Sequence, residues 1–502
     1  MQFMLESIGI LFQPVSLMLV LMGTIVGIIF GAIPGLTATT GVSLLLPLTF
    51  GLNPELGMAL LLGVYVGGVS GGFISATLLG IPGTPASIAT CFDAYPLCKK
   101  GQAVKALGTG ITASFFGTIV SILIAVLVSP LIADMALKLG PWEYFSLCVC
   151  ALTLVATLAK GDMFKGLSSA FLGISFSLVG LSPIDGGPRF NFGSIQLSGG
   201  FDILAMILGI FAVKQIIKDF ADGDQVPVDV SLEVSGLGIT LKEITANLWN
   251  IVRSFFIGLW IGFLPGMGSG LSNLVAYAQA KQSSRHPEDF GKGSLEGIWA
   301  SEVANNASVG GAIIPMVTLG IPGDSVTAIL LGGLMIHGIQ PGPLLFSNNP
   351  VTVYFIFAAA ALSAVITLIL QFGGMRAFPL ILKIPQRFLY SALIVMSFVG
   401  AFASNNSTFN IWIMLFFTVI AVLMDLGGLS ISPMILGFIL GPMLEINLRR
   451  GLTYSSGSFT PFLTRPVSAA LLAVAVISAL YSLFGHRLQR RRKLKDEGRD
   501  GV

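Results

Sequence analysis

Long apolar runs interrupted by glycine, proline and small polar residues dominate this chain. Runs able to cross or enter a bilayer are expected at 15–33, with a shorter return at 38–52, then at 56–80, 86–97, 104–133, 142–159, 164–181 and 201–217. A second series is expected at 251–264, 271–280, 295–320, 326–336, 351–372, 388–403, 409–424, 431–444 and 467–484. Between them, 220–247 is the most polar interval before the tail. The pattern therefore predicts a first transmembrane repeat over 1–218, a polar cytoplasmic linker over 219–247, a second repeat over 248–485 and a basic cytoplasmic tail over 486–502.

The division into repeats rests on residues. Gly27, Gly31, Pro34 and Gly35 recur as Gly258, Gly262, Pro265 and Gly266 at a constant offset of 231 (34 to 265). Leu79 to Gly83 recurs as Leu319 to Gly323 at an offset of 240 (80 to 320), and Gly71-Gly72 answers to Gly310-Gly311. Inside an apolar segment a Pro-Gly pair removes a backbone donor and releases the chain from helical dihedrals, so both copies of both motifs are expected to break a helix. In hydrocarbon such breaks survive only where protein or a watery cavity satisfies the freed peptide groups. Four breaks paired by repeat are the pattern of a substrate site in a secondary transporter; the plainer reading is kinks that serve packing.

Composition agrees with a membrane chain. Of 502 residues 54% are hydrophobic and only 10% charged, where soluble domains carry about 25%. Net charge is +3, and the basic excess lies around Arg487 to Lys495, which places the C-terminus in the cytoplasm by the positive-inside rule. Cys91, Cys98, Cys148 and Cys150 have no metal-ligand companions at zinc spacing and read as small core residues. The N-terminus has no basic region ahead of Glu6, so no cleaved secretory signal is expected.

Loop charge orients the repeats. After the first motif, 51–55 carries no basic residue, whereas 281–292 carries Lys281, Arg285 and Lys292. After the second motif the bias reverses, with Lys99, Lys100 and Lys105 against an uncharged 338–342. Equivalent loops are thus expected on opposite faces, giving an all-α polytopic membrane protein with two inverted-topology repeats whose helices are broken at Pro-Gly or form re-entrant hairpins. Lys160, Lys165, Lys214, Lys218, Arg376, Lys383 and Arg387 then fall in the cytoplasm. Arg449, Arg450 and Arg465 fall outside, either through a miscounted short segment or because they dock an acidic periplasmic partner.

The chemistry gathers at the breaks. Gly35, Thr37, Thr39 and Thr40 follow the first, and Gly266, Ser269, Gly270, Ser272 and Asn273 follow its copy; the other pair offers Gly83 and Thr84, and Gly323 and Ser325. Helices restarting there expose free N–H groups and a positive dipole end, which suits a carboxylate. The expectation is that these tips converge on an anionic substrate while Asp324, Glu302, Asn305 and Asn306 handle a coupling cation or proton, Na+ or H+. Glu302 reads equally as a cap on polar backbone at a helix crossing, and Asp93 with Tyr95 as structural or gating. The glycine stripes Gly23-Gly27-Gly31 and Gly63-Gly67-Gly71 read as packing surfaces.

Gly68-Val69-Ser70-Gly71 fits the short GxSG signature of intramembrane serine proteases. Such a serine needs a base, and of the three histidines His286 lies in a charged loop and His486 in the tail, leaving His337. No catalytic residue, organic cofactor, metal site beyond a sodium ion, nucleotide-binding loop or nucleic-acid partner is expected.

Four stretches carry a resemblance: GAIPGLTATTGVSLLLPLTFGL (31–52), SGGFISATLLGIPGTPASIATCFDAYPLCKKGQA (70–103), GFLPGMGSG (262–270) and EVANNASVGGAIIPMVTLGIPGDSVTAILLGGL (302–334). Together they resemble the large membrane subunit of the tripartite tricarboxylate transporters, over nearly the whole chain. The resemblance implies uptake of a tricarboxylate or similar organic anion across the bacterial inner membrane, coupled to an ion gradient. A small membrane subunit and a periplasmic solute-binding protein would be its partners. The alternatives at this point are a carboxylate symporter acting without a binding protein, a channel, and the protease.

Overall fold

The computed structural model describes residues 2–158, 163–222, 236–382 and 386–497. Lys160, Asp224, Asp229, Glu233 and Lys383, and the end of the basic tail, lie outside the described residues. Among those described the chain is helical almost throughout, with one antiparallel pair, Gly180–Leu181 (β1) against Pro188–Arg189 (β2).

In chain order the helices are α1 (Gln2–Leu11), α2 (Pro14–Ala32), α3 (Ala38–Leu45), α4 (Pro54–Leu78), α5 (Ile88–Lys99), α6 (Ala103–Ala136), α7 (Pro141–Leu158) and α8 (Met163–Ser177). Next come α9 (Ile203–Ile207), α10 (Lys214–Asp222), α11 (Leu241–Ala246), α12 (Leu248–Phe263), α13 (Gly268–Ser283), α14 (Leu295–Leu319), α15 (Ser325–Ile336) and α16 (Leu345–Asn348). The last are α17 (Pro350–Gly373), α18 (Phe378–Leu382), α19 (Gln386–Ala403), α20 (Thr408–Leu426), α21 (Ile431–Tyr454), α22 (Thr460–Thr464) and α23 (Pro466–Glu497). By length and composition α2, α4, α6, α17, α20 and α21 are able to cross a membrane.

Local chemistry sets many of these ends. Pro14, Pro54 and Pro350 open their helices at the first turn, where the missing N–H costs nothing. Gly320 closes α14 in the left-handed region (φ 70°). Neither α1 nor α11 is visible in the apolar pattern, because α1 is a short amphipathic piece and α11 is held by a capping box between Thr240 and Glu243. Helix α21 continues to Tyr454 rather than ending at 444, since Glu445 and Arg449, one turn apart, pair at 2.9 Å.

The chain forms two compact units. One comprises Met1–Leu137 with Asp202–Ile420, the other Lys138–Phe201 with Ala421–Val502. In the first, the glycine stripes do what packing requires. A Cβ added at Gly27 would lie 2.5 Å from the Val64 carbonyl oxygen, one at Gly63 2.7 Å from that of Val20, and one at Gly71 2.6 Å from that of Ile28, so α2 and α4 touch backbone to backbone. In the second copy Gly258 and Gly262 of α12 abut the carbonyls of Ala304 and Ser308 on α14 in the same manner.

In the second unit α7, α8, α21 and α23 pack together, with Gly173 against the Met434 carbonyl and Gly437 against that of Ala170. Two of the three arginines that the segment count put outside, Arg449 and Arg465, are paired here, as is Arg189. Arg449 meets Glu445 and, at 3.6 Å, Asp185; Arg189 meets Glu445 at 2.7 Å; Arg465 pairs with the buried Glu143 and lies over the Trp142 ring at 4.6 Å.

Candidate functional site

All four Pro-Gly sequences break a helix. Between α2 and α3, Gly35 takes φ 92° and Thr37 caps α3, accepting the Thr40 N–H at 3.2 Å. Between α4 and α5, Gly80 takes φ 70° and a 3-10 turn at Pro85–Ser87 leads into α5. Between α12 and α13, Gly266 (φ 73°) and Gly268 (φ 54°) carry the turn. Between α14 and α15, Asp324 caps α15, its Oδ1 accepting the Thr327 N–H at 2.7 Å.

These elbows touch in a row. Gly83 of the second lies against the carbonyl of Gly31, just before the first; a Cβ on Gly270 in the third would lie 3.3 Å from Pro85 in the second; one on Gly268 would lie 2.7 Å from Asp324 in the fourth. Gly323 of the fourth closes on the carbonyl of Gly262, just before the third. The pairs Gly31/Gly83 and Gly262/Gly323 are therefore one local geometry present twice, at the offsets read from the sequence. No side chain larger than hydrogen fits at either contact.

Side chains then cross between the two halves. The Tyr65 hydroxyl on α4 donates to Asp324 Oδ2 at 2.6 Å, while Asn305 Nδ2 on α14 donates to the Ala86 carbonyl at 2.9 Å. Asn273, fully buried, spends its whole amide on this seam. Its Nδ2 donates to the carbonyls of Pro85, Ser269 and Gly270 at 3.0, 2.8 and 3.0 Å, and its Oδ1 accepts the Ala89 N–H at 3.1 Å.

Glu302 lies fully buried on α14. Thr90 donates to its Oε1, and Ser114 on α6 donates to Oε2 at 3.1 Å. One turn on, Asn306 Oδ1 accepts the hydroxyls of Ser70 (2.7 Å) and Thr118 (3.2 Å), and its Nδ2 donates to the Glu302 carbonyl and to Asn305 Oδ1. No cation meets the Glu302 carboxyl among the described residues. A carboxyl so enclosed must either hold a proton or share its site with a cation, because an uncompensated charge in a low-dielectric interior is costly.

Asp93 behaves differently. Its Oδ1 accepts three backbone N–H groups, from Gly291, Gly293 and Ser294 at 2.8, 2.9 and 2.8 Å, and its Oδ2 accepts the Tyr277 hydroxyl at 2.8 Å. Lys100 Nζ adds a bond to the Lys292 carbonyl at 2.7 Å. These contacts fasten α5 to α13 and to the segment joining α13 and α14, which is the structural role.

The residues expected at the site are thus close together but not equivalent. Thr40, Ser272 and Asn273 are buried and engaged locally: Thr40 lies 3.1 Å from Thr37 Oγ1, and Ser272 donates to the Ser269 carbonyl at 3.0 Å. Thr39, Ser269, Gly270, Asp324 and Ser325 are only half-buried, at the elbows themselves. Tyr65, Thr90, Ser114 and Thr118 were not singled out from the sequence. For Tyr65 a signal existed: Tyr65 and Asn305 stand 240 positions apart, as do Thr84 and Asp324, so the crossed contacts follow the repeat.

Broken helices meeting inside a bundle of apolar spans define a membrane transporter rather than a membrane anchor or a scaffold. Residues 17–436 match the tripartite tricarboxylate transporter TctA family, and the chain belongs to it. It is 32% identical over 481 residues, 96% of both chains, to an Agrobacterium vitis protein described as an uncharacterized 52.8 kDa protein in the TAR-I ttuC' 3' region. It is 33% identical over 226 residues, 45% of this chain and 93% of the relative, to an uncharacterized protein in the TAR-II ttuC' 3' region of the same organism. No solved structure matches. The chain is a multi-pass membrane protein and a large subunit of this transporter class.

Proposed function

We propose that this chain is the permease of a binding-protein-dependent secondary transporter that imports a tricarboxylate or similar organic anion, driven by an Na+ or H+ gradient. The observation that carries the reading is the row of four elbows, in which helix starts from both halves of the chain meet; Thr37 and Asp324 already cap the Thr40 and Thr327 N–H groups, which leaves the uncapped first-turn N–H groups for a carboxylate. Substrate contact falls to the half-buried positions, Gly35, Thr37, Thr39, Ser269, Gly270 and Ser325, with Gly83, Thr84, Gly266 and Gly323 shaping the backbone beside them. Asn273, Ser272 and Thr40 hold the elbows in register. Asp324 and Glu302, with Asn305 and Asn306, take the coupling ion.

Inverted topology is supported by which loops meet. His337, at the end of α15, approaches Thr49 at 3.4 Å beside the 51–55 loop, which carries no basic residue, whereas the basic end of α5 bonds the basic segment after α13. Loops assigned to the same face by charge lie together. On this reading the C-terminus is cytoplasmic, the membrane is the bacterial inner membrane, and a small subunit and a periplasmic binding protein complete the machine. Ser70 gives no support to proteolysis, since its hydroxyl donates to Asn306 while His337 stands at Thr49.

Reconstitution into liposomes with the small subunit and binding protein tests the reading. A panel of di- and tricarboxylates should yield one that accumulates only with binding protein and an imposed ion gradient. Accumulation without binding protein would favour a stand-alone symporter; gradient-independent, non-saturating flux would indicate a channel.

A further inference from the structure

One polar cluster is not explained by the elbows. Gln371 on α17 is fully buried; its Nε2 donates to the Ser70 carbonyl at 3.2 Å, and its Oε1 has no hydrogen-bond partner among the described residues. One turn earlier on the same helix face the buried Thr367 Oγ1 is also without a partner among the described residues. Ser70 and Thr118 have each given their single proton to Asn306 Oδ1, so their remaining capacity is acceptor only. Apart from the Thr367 hydroxyl proton and the second Gln371 N–H, the cluster offers acceptor oxygens only. Buried acceptors left in such excess call for a group that brings positive charge or protons.

We propose that a monovalent metal cation of the Na+ class binds between α4, α6, α14 and α17, held by Gln371 Oε1 and the hydroxyl oxygens of Ser70, Thr118 and Thr367 beside Asn306. The ligands are neutral oxygens, which suits a singly charged hard cation better than a divalent one, whose sites draw on several carboxylates. Glu302, one turn from Asn306, supplies the single negative charge nearby, and a cation here offsets it without direct contact. The site deepens the ion-coupled reading by naming the ion and adding α17, a helix that carries none of the repeated motifs. Its role in transport rests on that reading; its affinity for Na+ does not.

The test measures Na+ binding without any carboxylate. Thermal unfolding of the purified, detergent-solubilised protein is followed as NaCl replaces KCl at constant ionic strength. Wild type should show a saturable rise in midpoint with Na+, and Gln371→Ala and Thr367→Val should each raise the half-saturating Na+ concentration at least tenfold. Thr367→Val, nearly isosteric, carries the test should Gln371→Ala fail to fold. A wild type indifferent to Na+ overturns the proposal, as does an unchanged half-saturation in a folded variant; the cluster would then hold water. A Na+ response in a protein that moves no carboxylate would leave this site standing and sink the transport reading.

Discussion

The Tyr65 hydroxyl donates to Asp324 across 259 residues of sequence, and it does so from the position that repeats as Asn305, whose own side chain reaches the start of the opposite helix at Ala86. Each long helix beside the site thus tethers the elbow of the other half. The two tethers differ in chemistry. One ends on a carboxylate and the other on a carbonyl, so only the Tyr65 tether is sensitive to what binds Asp324.

Tyr65→Phe removes that tether without changing shape. A hydrogen bond of this kind contributes about 1 kcal/mol, so ion-dependent uptake should fall about fivefold, with the ion concentration for half-maximal rate moving upward. Asp324→Asn should reduce uptake further, since it also weakens the cap on α15. Unchanged ion dependence in Tyr65→Phe would remove Asp324 from coupling.

Gly83→Ala and Gly323→Ala should be equally damaging, because each would drive a methyl group into the carbonyl of Gly31 or Gly262. Overpacking of this sort costs about 1–3 kcal/mol, and here it also spreads the elbows. Gly51→Ala, which meets nothing within 4 Å, serves as the control. Folded yield by size-exclusion chromatography and uptake by proteoliposomes should fall together for the first two only.

Asp93→Asn replaces an oxygen that accepts three N–H groups, or the one that accepts Tyr277, with a donor that repels them. The loss should be about 3 kcal/mol, read as a lowered thermal midpoint, whereas Tyr277→Phe should cost about 1 kcal/mol. Equal midpoints for Asp93→Asn and wild type would show that the clamp does not contribute.

The linker end provides a pH test. Lys105 hydrogen-bonds Glu243 at 2.6 Å and so holds that carboxyl below the usual glutamate range. Its contribution is complete above the unfolded glutamate pKa of about 4.3 and is lost as pH falls through the lower folded value. Lys105→Met should therefore cost about 0.5 kcal/mol at neutral pH and nothing at pH about 3. A difference that persisted at low pH would assign the effect to packing.

Arg450 tests orientation. It is exposed, and the count of segments, against its own charge, puts it outside. A cysteine there should react with an impermeant thiol reagent added to intact cells; reaction only after permeabilisation would reverse the assignment of the second half.

The chain's own letters determined the membrane class, the doubled motif and the places where helices break, because these depend on hydrophobic run length and on what proline and glycine do to the backbone within a few residues. Residue number alone also pairs Tyr65 with Asn305 and Thr84 with Asp324. Which elbow touches which was decided only in three dimensions. Contacts such as Asn273 to Ala89, Ser70 to Asn306 and Gln371 to Ser70 join residues 184, 236 and 301 positions apart, and no periodicity encodes them. Gln371 shows why: on an apolar helix it reads as an isolated polar residue, and only its packing against Ser70 leaves an oxygen without a donor among the described residues.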